Sequence, residues 1–417
     1  MRAAAAEPAP SPFAYPAWRA FFTARVTATL AMMMMVIVIG WQVYDIARET
    51  RSVSESAFLL GMVGLAQFLP VFTLTLVVGA IADRFDRRWI ARAAVAAELV
   101  AALALFLLTA SGNRDLLPLF LVAILLGAAR AFAAPSLTAL APNLVPAAAL
   151  PTAIAWSSMG FQSGAVLGPL AGGLLYDQSA PLPYAAAAGL LAISLIALFR
   201  IPPVPGPARG RASIGEGLSY VRGNPIVLGA ISLDLAAVIL AGATAMLPIY
   251  ARDILHVGAE GLGMMRAAPA VGAALVALTL TRIPLRSGVG WKMFVAVGVF
   301  SLGTIAFGLS TSLEMAVASL FVLGAADMVS VYVRASLIQL HTPDEMRGRV
   351  SAVSLVFISA SNELGEFRAG TLAAAIGAVQ ATVIGGALAF VVTLLWAWGF
   401  PALRRADRLE VPDTLKP

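Results

Sequence analysis

Stretches of about twenty predominantly apolar residues, each long enough to span the hydrocarbon core of a bilayer, recur twelve times along the chain. They centre near residues 32, 69, 100, 126, 161, 191, 238, 271, 300, 325, 361 and 388. Inside lipid the backbone has no water to bond, so only helices and closed barrels cross it. The stretches are unbroken rather than alternating, which excludes the strands of an outer-membrane barrel. The expected fold class is an all-α membrane protein of twelve transmembrane helices. Only 12% of the 417 residues are charged, about half the share usual in soluble chains, so a soluble enzyme is excluded. The opening MRAAAAEPAPSPF lacks the apolar core of a signal peptide and reads as a short disordered lead-in.

Basic residues orient the spans, because Lys and Arg are retained in cytoplasmic loops. With a cytoplasmic N-terminus, cytoplasmic segments hold 20 of the 28 Lys and Arg, Arg334 among them. The opposite loops hold four: Arg48, Arg51, Arg114 and Arg252. This predicts a multi-pass protein of a bacterial plasma membrane with both termini cytoplasmic and lipid headgroups as partners. The same placement accounts for the net charge of +6 without a nucleic-acid partner.

The longest interruption, residues 201–224, contains PPVPGP and RGNP and divides an N-terminal half (1–200) from a C-terminal half (225–417). Within it Ser213 and Glu216 form a capping box around Ile214, with Leu218 and Val221 at helical spacing. That pattern predicts a short amphipathic helix lying on the cytoplasmic membrane face. The halves carry a faint repeat: SLTAL at Ser136 to Leu140 matches SLIQL at Ser336 to Leu340, and LGAAR ending at Arg130 matches LGAAD ending at Asp327. Parallel six-helix repeats mark one class of secondary transporter. No Gly-x-x-x-x-Gly-Lys-[Ser/Thr] loop is present, so the chain is not itself an ATP-driven pump. With no Cys and two His, His256 and His341, no disulfide, metal site or cofactor is expected. Met32 to Met35 point around a whole helix turn and read as apolar filling, not a thioether metal site.

Between the second and third spans stands GAIADRFDRR, with Gly79, Asp83, Arg84, Arg87 and Arg88 at the spacing G-x-x-x-D-R-x-G-R-R. This resembles the signature gating loop of the major facilitator superfamily. Asp86 stands where that pattern has Gly, and its short side chain tolerates a left-handed turn better than most. In the fifth span Gly164, Gly168, Pro169, Gly172 and Gly173 match G-x-x-x-G-P-x-x-G-G, similar to the antiporter signature of superfamily exporters, with Ala155 at the place of its further upstream Gly. Glycines four apart permit close backbone contact, and proline permits a bend. In the fourth span Ala123 occupies the place of the superfamily's motif arginine, and Arg130 lies beyond it. WQVYD at Trp41, GLAQFLP at Gly64, ARAFAAP at Ala129 and SNELGEFRAG at Ser361 resemble the branch that contains the enterobactin exporter.

A charge at the centre of a spanning helix costs about 2.5 to 3.5 kcal/mol and therefore needs a partner, water or a function. The resemblance implies that the first, fourth, seventh and tenth helices line a central cavity. Those helices carry Arg25, Arg130, Asp234 and Asp327, cations in the first half and anions in the second. The expectation is that ion pairs across the cavity form and break as the halves rock. The eleventh span carries Asn362, Glu363, Glu366 and Arg368, with either glutamate a candidate proton carrier and a Glu to Arg bridge the alternative. Glu98 and Arg266 are further buried charges.

These readings converge on a secondary active transporter that exports a small organic molecule, a siderophore-like metabolite or drug, by proton antiport, acting as a monomer. Broad multidrug efflux is the alternative within transport, and a non-transporting receptor or scaffold the alternative from another class. An enzyme is not expected, because no nucleophile with its base appears.

Overall fold

The computed structural model describes residues 11–82, 85–146, 149–203, 214–283, 285 and 287–407. Every regular element among them is helical. The first six long helices are α1 (Pro16–Thr50), α2 (Val53–Ala82), α3 (Arg87–Ala110), α4 (Leu116–Leu140), α5 (Leu150–Gln178) and α6 (Leu182–Phe199). A short α7 (Ile214–Gly223) precedes α8 (Pro225–Ala241), α9 (Gly258–Arg282), α10 (Val289–Gly308) and α11 (Leu313–Leu340). The chain closes with α12 (Asp344–Ile376), α13 (Ala378–Gly399) and a final turn, α14 (Pro401–Arg404). Ten helical runs are long and apolar enough to cross a membrane. The glycine-bearing α5 and the charged α12 are as long but less apolar, and each expected span centre falls inside one of these twelve helices.

Side chains start several helices where the sequence supplies a cap. Asp115 accepts from Leu117 N–H, Asn224 from Ile226 and Val227 N–H, and Ser312 from Met315 N–H. One helix is broken. At Gly242 α8 turns left-handed (φ 54°) and continues through Ala243–Met246, Leu247–Ile249 and a wide turn over Tyr250–Ile254. A Cβ at Gly242 would lie 2.7 Å from Ala369 Cβ and 2.9 Å from the Gly365 carbonyl, so both conformation and contact demand glycine. The break frees carbonyls at membrane depth, where only protein can answer them. Arg368 of α12 does so, donating from Nε to Ile239 O at 2.7 Å and from Nη2 to Leu240 O at 2.5 Å. Arg368 is therefore committed to main-chain carbonyls instead of a glutamate bridge.

By packing, the chain falls into two units: Met1–Val36 with Leu69–Arg209, and Ile37–Phe68 with Gly210–Pro417. In the first, α5 lies directly on α1. A Cβ at Gly160 would meet Val26 Cγ2 at 2.8 Å, one at Gly164 would meet Thr29 Cγ2 at 2.7 Å, and one at Gly168 would meet Met33 Cβ at 2.7 Å and Leu30 O at 2.9 Å. Glycines 160, 164 and 168 thus form one seam of backbone contact, and α5 runs on helically through Pro169. Nearby, buried Arg92 donates to Leu198 O at the end of α6, its guanidinium 4.7 Å from the Trp89 and Phe199 rings.

In the second unit Leu233, Val289, Met293, Val333, Leu337 and Leu403 form one buried cluster from α8, α10, α11 and α14. The amphipathic α7 presses Val221 and Leu218 onto Val227, Ile338, Val350 and Val353. Glu216 pairs with Arg349, and the Tyr220 hydroxyl donates to the His341 carbonyl. Ser213 lies outside the described residues, so the capping box is represented here by Glu216 alone.

Candidate functional site

The helices place the four expected cavity charges in unlike surroundings. Arg130 on α4 attracts Glu98 of α3, which is 3% exposed. Asp234 on α8 pairs with Arg334 of α11, both buried. Arg334, assigned from sequence to a cytoplasmic loop, instead lies within α11 and supplies the counter-charge that the sequence left unnamed. Arg25 and Asp327 are half-buried and take part in none of the ion pairs among the described residues. Asp234 is thus tied inside its own unit, Arg130 has the buried Glu98 carboxylate within electrostatic reach in its own unit, and Arg25 and Asp327 have no such counter-charge among the described residues.

Removing one partner of a buried pair leaves an uncompensated charge, which costs about 3 to 5 kcal/mol, whereas replacing both by apolar groups is often neutral. Asp234→Ala should therefore lower the melting temperature of the detergent-solubilised protein sharply. Asp234→Leu combined with Arg334→Met should recover most of the loss. Equal melting of the single and double variants would show that the pair carries no such energy.

On α12, Asn362 is exposed while Glu363 and Glu366 are half-buried. Glu366 leans on α2: a Cβ added at Gly64 would stand 3.3 Å from its Oε2. Four residues on, Gly370 meets α2 backbone to backbone. A Cβ there would lie 2.7 Å from Gly61 Cα and 2.9 Å from Ala57 O, and the Ser54 hydroxyl donates to Ala374 O at 2.6 Å.

In the loop before α3, Gly79 belongs to the last turns of α2, Asp83 and Arg84 lie outside the described residues, and Arg87 and Arg88 open α3. Asp86 does not take the left-handed turn its position suggested (φ −61°, ψ 120°). It caps α3, accepting from Arg88 N–H at 2.9 Å and pairing with the Arg88 guanidinium at 2.6 Å. The Arg88 side chain is the main cause holding the Asp86 carboxyl below the usual carboxylate range. This cap is present at neutral pH and is lost only as acid titrates Asp86 through its lowered value. Arg88 also donates to Ile201 O at 3.3 Å. In the antiporter-like string, Gly164 and Gly168 belong to the α1 seam, and Pro169, Gly172 and Gly173 are buried just beyond it.

A further constellation was not assembled from the sequence. Near the Thr50 end of α1, Tyr44 donates to Asp253 Oδ2 at 2.5 Å, and Arg48 donates from Nε and Nη2 to Asp253 Oδ1 at 3.1 and 3.0 Å. Beside it Arg252 pairs with the Asp45 carboxylate and donates to the Asp45 carbonyl at 2.9 Å. Two ion pairs run in opposite directions, α1 giving one cation and one anion and the wide turn after α8 giving their complements. The available signal was the rarity of charge in these positions: two of the four basic residues assigned to the non-cytoplasmic side, Arg48 and Arg252, are the cations of this latch.

Twelve long helices, ten of them apolar enough to cross a membrane, with charges paired between them, define a polytopic helical membrane protein. The chain belongs to the major facilitator superfamily: the Major Facilitator Superfamily model matches residues 20–366. It is 26% identical over 374 residues to the enterobactin exporter EntS of Shigella boydii, covering 88% of this chain and 87% of that one. The same figures hold for EntS of Escherichia coli O9:H4. Among solved structures, a bacterial homologue of the human lysosomal transporter Spinster superposes with a TM-score of 0.70 at 17% identity over 93% of this chain and 98% of that one. A D-xylose-proton symporter gives 0.69 at 15% identity over 91% and 97%. At such identities the structural likenesses establish the fold alone.

Proposed function

We propose that this protein exports a small organic molecule, a siderophore-like metabolite or a drug, from the bacterial cytoplasm by proton antiport. Both termini face the cytoplasm, and the N-terminal half, the 201–224 linker and the C-terminal half form one monomeric machine. The observation that carries this reading is the latch. Tyr44, Asp45 and Arg48 close on Arg252 and Asp253, and Gly61 closes on Gly370, all in the extracytoplasmic portion of the chain in this orientation. Such contacts hold the outer side shut while cargo loads from the cytoplasm. The loop of Gly79, Asp83, Arg84, Arg87 and Arg88 would serve the opposite side, and the α1–α5 glycine seam would keep two helices moving together. Arg25, Arg130, Asp234, Asp327, Asn362, Glu363 and Glu366 are the groups from which cargo or proton binding is drawn. The relatives named as enterobactin exporters support the direction of transport and the kind of cargo.

The absence of Cys from the chain makes orientation directly testable. An impermeant thiol reagent applied to intact cells should label Ser111→Cys, in the loop after α3, and spare Arg405→Cys. The reverse pattern would invert the proposed topology. In inverted vesicles with an acid lumen, uptake of enterobactin alone would support the metabolite reading, and uptake of ethidium as well would support multidrug efflux. Uptake of neither, with the protein present and folded, would favour the receptor or scaffold and defeat the export proposal.

A further inference from the structure

We infer that Arg25, with the aromatic cluster beside it, forms the loading site for an organic anion that carries a flat apolar ring. The inference rests on the export reading, because it takes the early turns of α1 as the cytoplasmic end. Arg25 is half-buried, forms none of the ion pairs among the described residues, and buries its Nε with no hydrogen-bond partner. Trp18, two helical turns earlier on the same stripe, is 0% exposed and likewise buries its indole N–H without an acceptor. Glu98 and Asp234, the buried carboxylates with a cationic partner, are matched to Arg130 and Arg334, and neither is matched to Arg25.

A guanidinium is a donor with no acceptor capacity, and burying one of its N–H groups without an acceptor leaves that group's desolvation uncompensated. Two unanswered donors on one stripe of α1 call for an acceptor-rich, negatively charged group. The stripe also carries Phe22, which meets Trp156 of α5 edge-on at 6.1 Å, while Phe13 meets both, Phe22 at 5.2 Å and Trp156 at 5.1 Å. Phe22 and Arg25 are three apart and share a face. Trp156 is 38% exposed, leaving part of its ring free to take an aromatic partner. The Gly160 contact with Phe22 and Val26 fixes the distance between the two helices that carry the rings. The chemistry on offer is a charge-assisted hydrogen bond from Arg25 and ring stacking from the aromatic cluster. A carboxylate, sulfonate or ionised phenol on an aromatic ring satisfies both.

Titration of the purified full-length protein in lipid nanodiscs with naphthalene-2-sulfonate and its uncharged isostere naphthalene-2-sulfonamide tests this. The sulfonate should bind more tightly than the sulfonamide to the unaltered protein. Arg25→Gln should weaken the sulfonate about tenfold or more, the loss expected for one charge-assisted hydrogen bond, and leave the sulfonamide within about threefold. Arg25→Lys, which keeps the charge, should recover part of the loss and serves as the folding control. Trp156→Ala should weaken both ligands together. Equal binding of the two probes, no binding of either, or an unchanged affinity in Arg25→Gln overturns the inference. Arg25-dependent binding in a protein that moves no solute would leave this inference standing and defeat the export reading, so the two failures are distinguishable.

Discussion

Reversing one charge of the latch, Asp45→Arg or Arg252→Asp, is expected to lower transport several-fold, on the order of tenfold, and reversing both together to restore most of it. Each single change turns an attraction into a repulsion between groups whose side chains are 33% and 29% exposed. An exposed pair of this kind contributes about 0.2 to 1 kcal/mol. Reversal removes that and adds a like-charge penalty of comparable size, with Arg48 crowding an arginine at position 45. A shift of about 1.4 kcal/mol in the balance between latched and unlatched states changes their ratio tenfold. The double reversal regenerates the pair in the opposite sense and leaves the Asp253 centre with Tyr44 and Arg48 untouched. Transport rates in inverted vesicles for the four proteins supply the cycle. Additive losses in the double variant would mean that Asp45 and Arg252 act separately and that their pair does not hold the latch.

Gly370→Leu is expected to have the larger effect of the two: transport falls to background while the protein still inserts and folds. The space for a side chain there is already filled by Gly61 Cα, Gly61 N and the Ala57 carbonyl. Backbone cannot rotate away as a side chain can, so the overpacking penalty of about 1 to 3 kcal/mol is relieved only by parting α2 from α12. The parting has a direct readout. Ala57 is 1% exposed, so a cysteine at that position should resist an external thiol reagent in the otherwise unaltered chain and react readily beside Gly370→Leu. A cysteine at 57 that stays protected, together with normal transport, would show that this seam need not close.

The architecture was legible because its causes are local. Apolar length dictated twelve long helices, and the spacing of Ile214, Leu218 and Val221 marked α7. Partners were less legible, because a sequence gives the sign of a charge but not the register at which two helices meet. Asp45 and Arg252 lie 207 residues apart, and no periodicity within either helix points to the other. Arg334 was misplaced for a related reason: it stands near the end of an apolar span, where hydropathy cannot distinguish a loop from one more buried turn. Arg368 illustrates a third limit. The break at Gly242 that frees the Ile239 and Leu240 carbonyls is itself a tertiary event, set by the close approach of Gly365 and Ala369, so the arginine's main-chain partners could not be inferred beforehand. Asp86 shows a further limit: it stands where the superfamily pattern has Gly, yet it caps α3 instead of turning the chain left-handed.

Export by proton antiport requires coupled, alternating closure of the two sides, and simultaneous recording of solute and proton movement in sealed liposomes tests that coupling most directly. With the protein reconstituted and an enterobactin gradient imposed, a lumenal pH dye should report proton flow opposite to the solute. That flow should fall in step with solute flux in Asp45→Arg and recover in Asp45→Arg with Arg252→Asp. Solute movement that leaves the dye unchanged, or that proceeds at full rate in Asp45→Arg, would contradict the account.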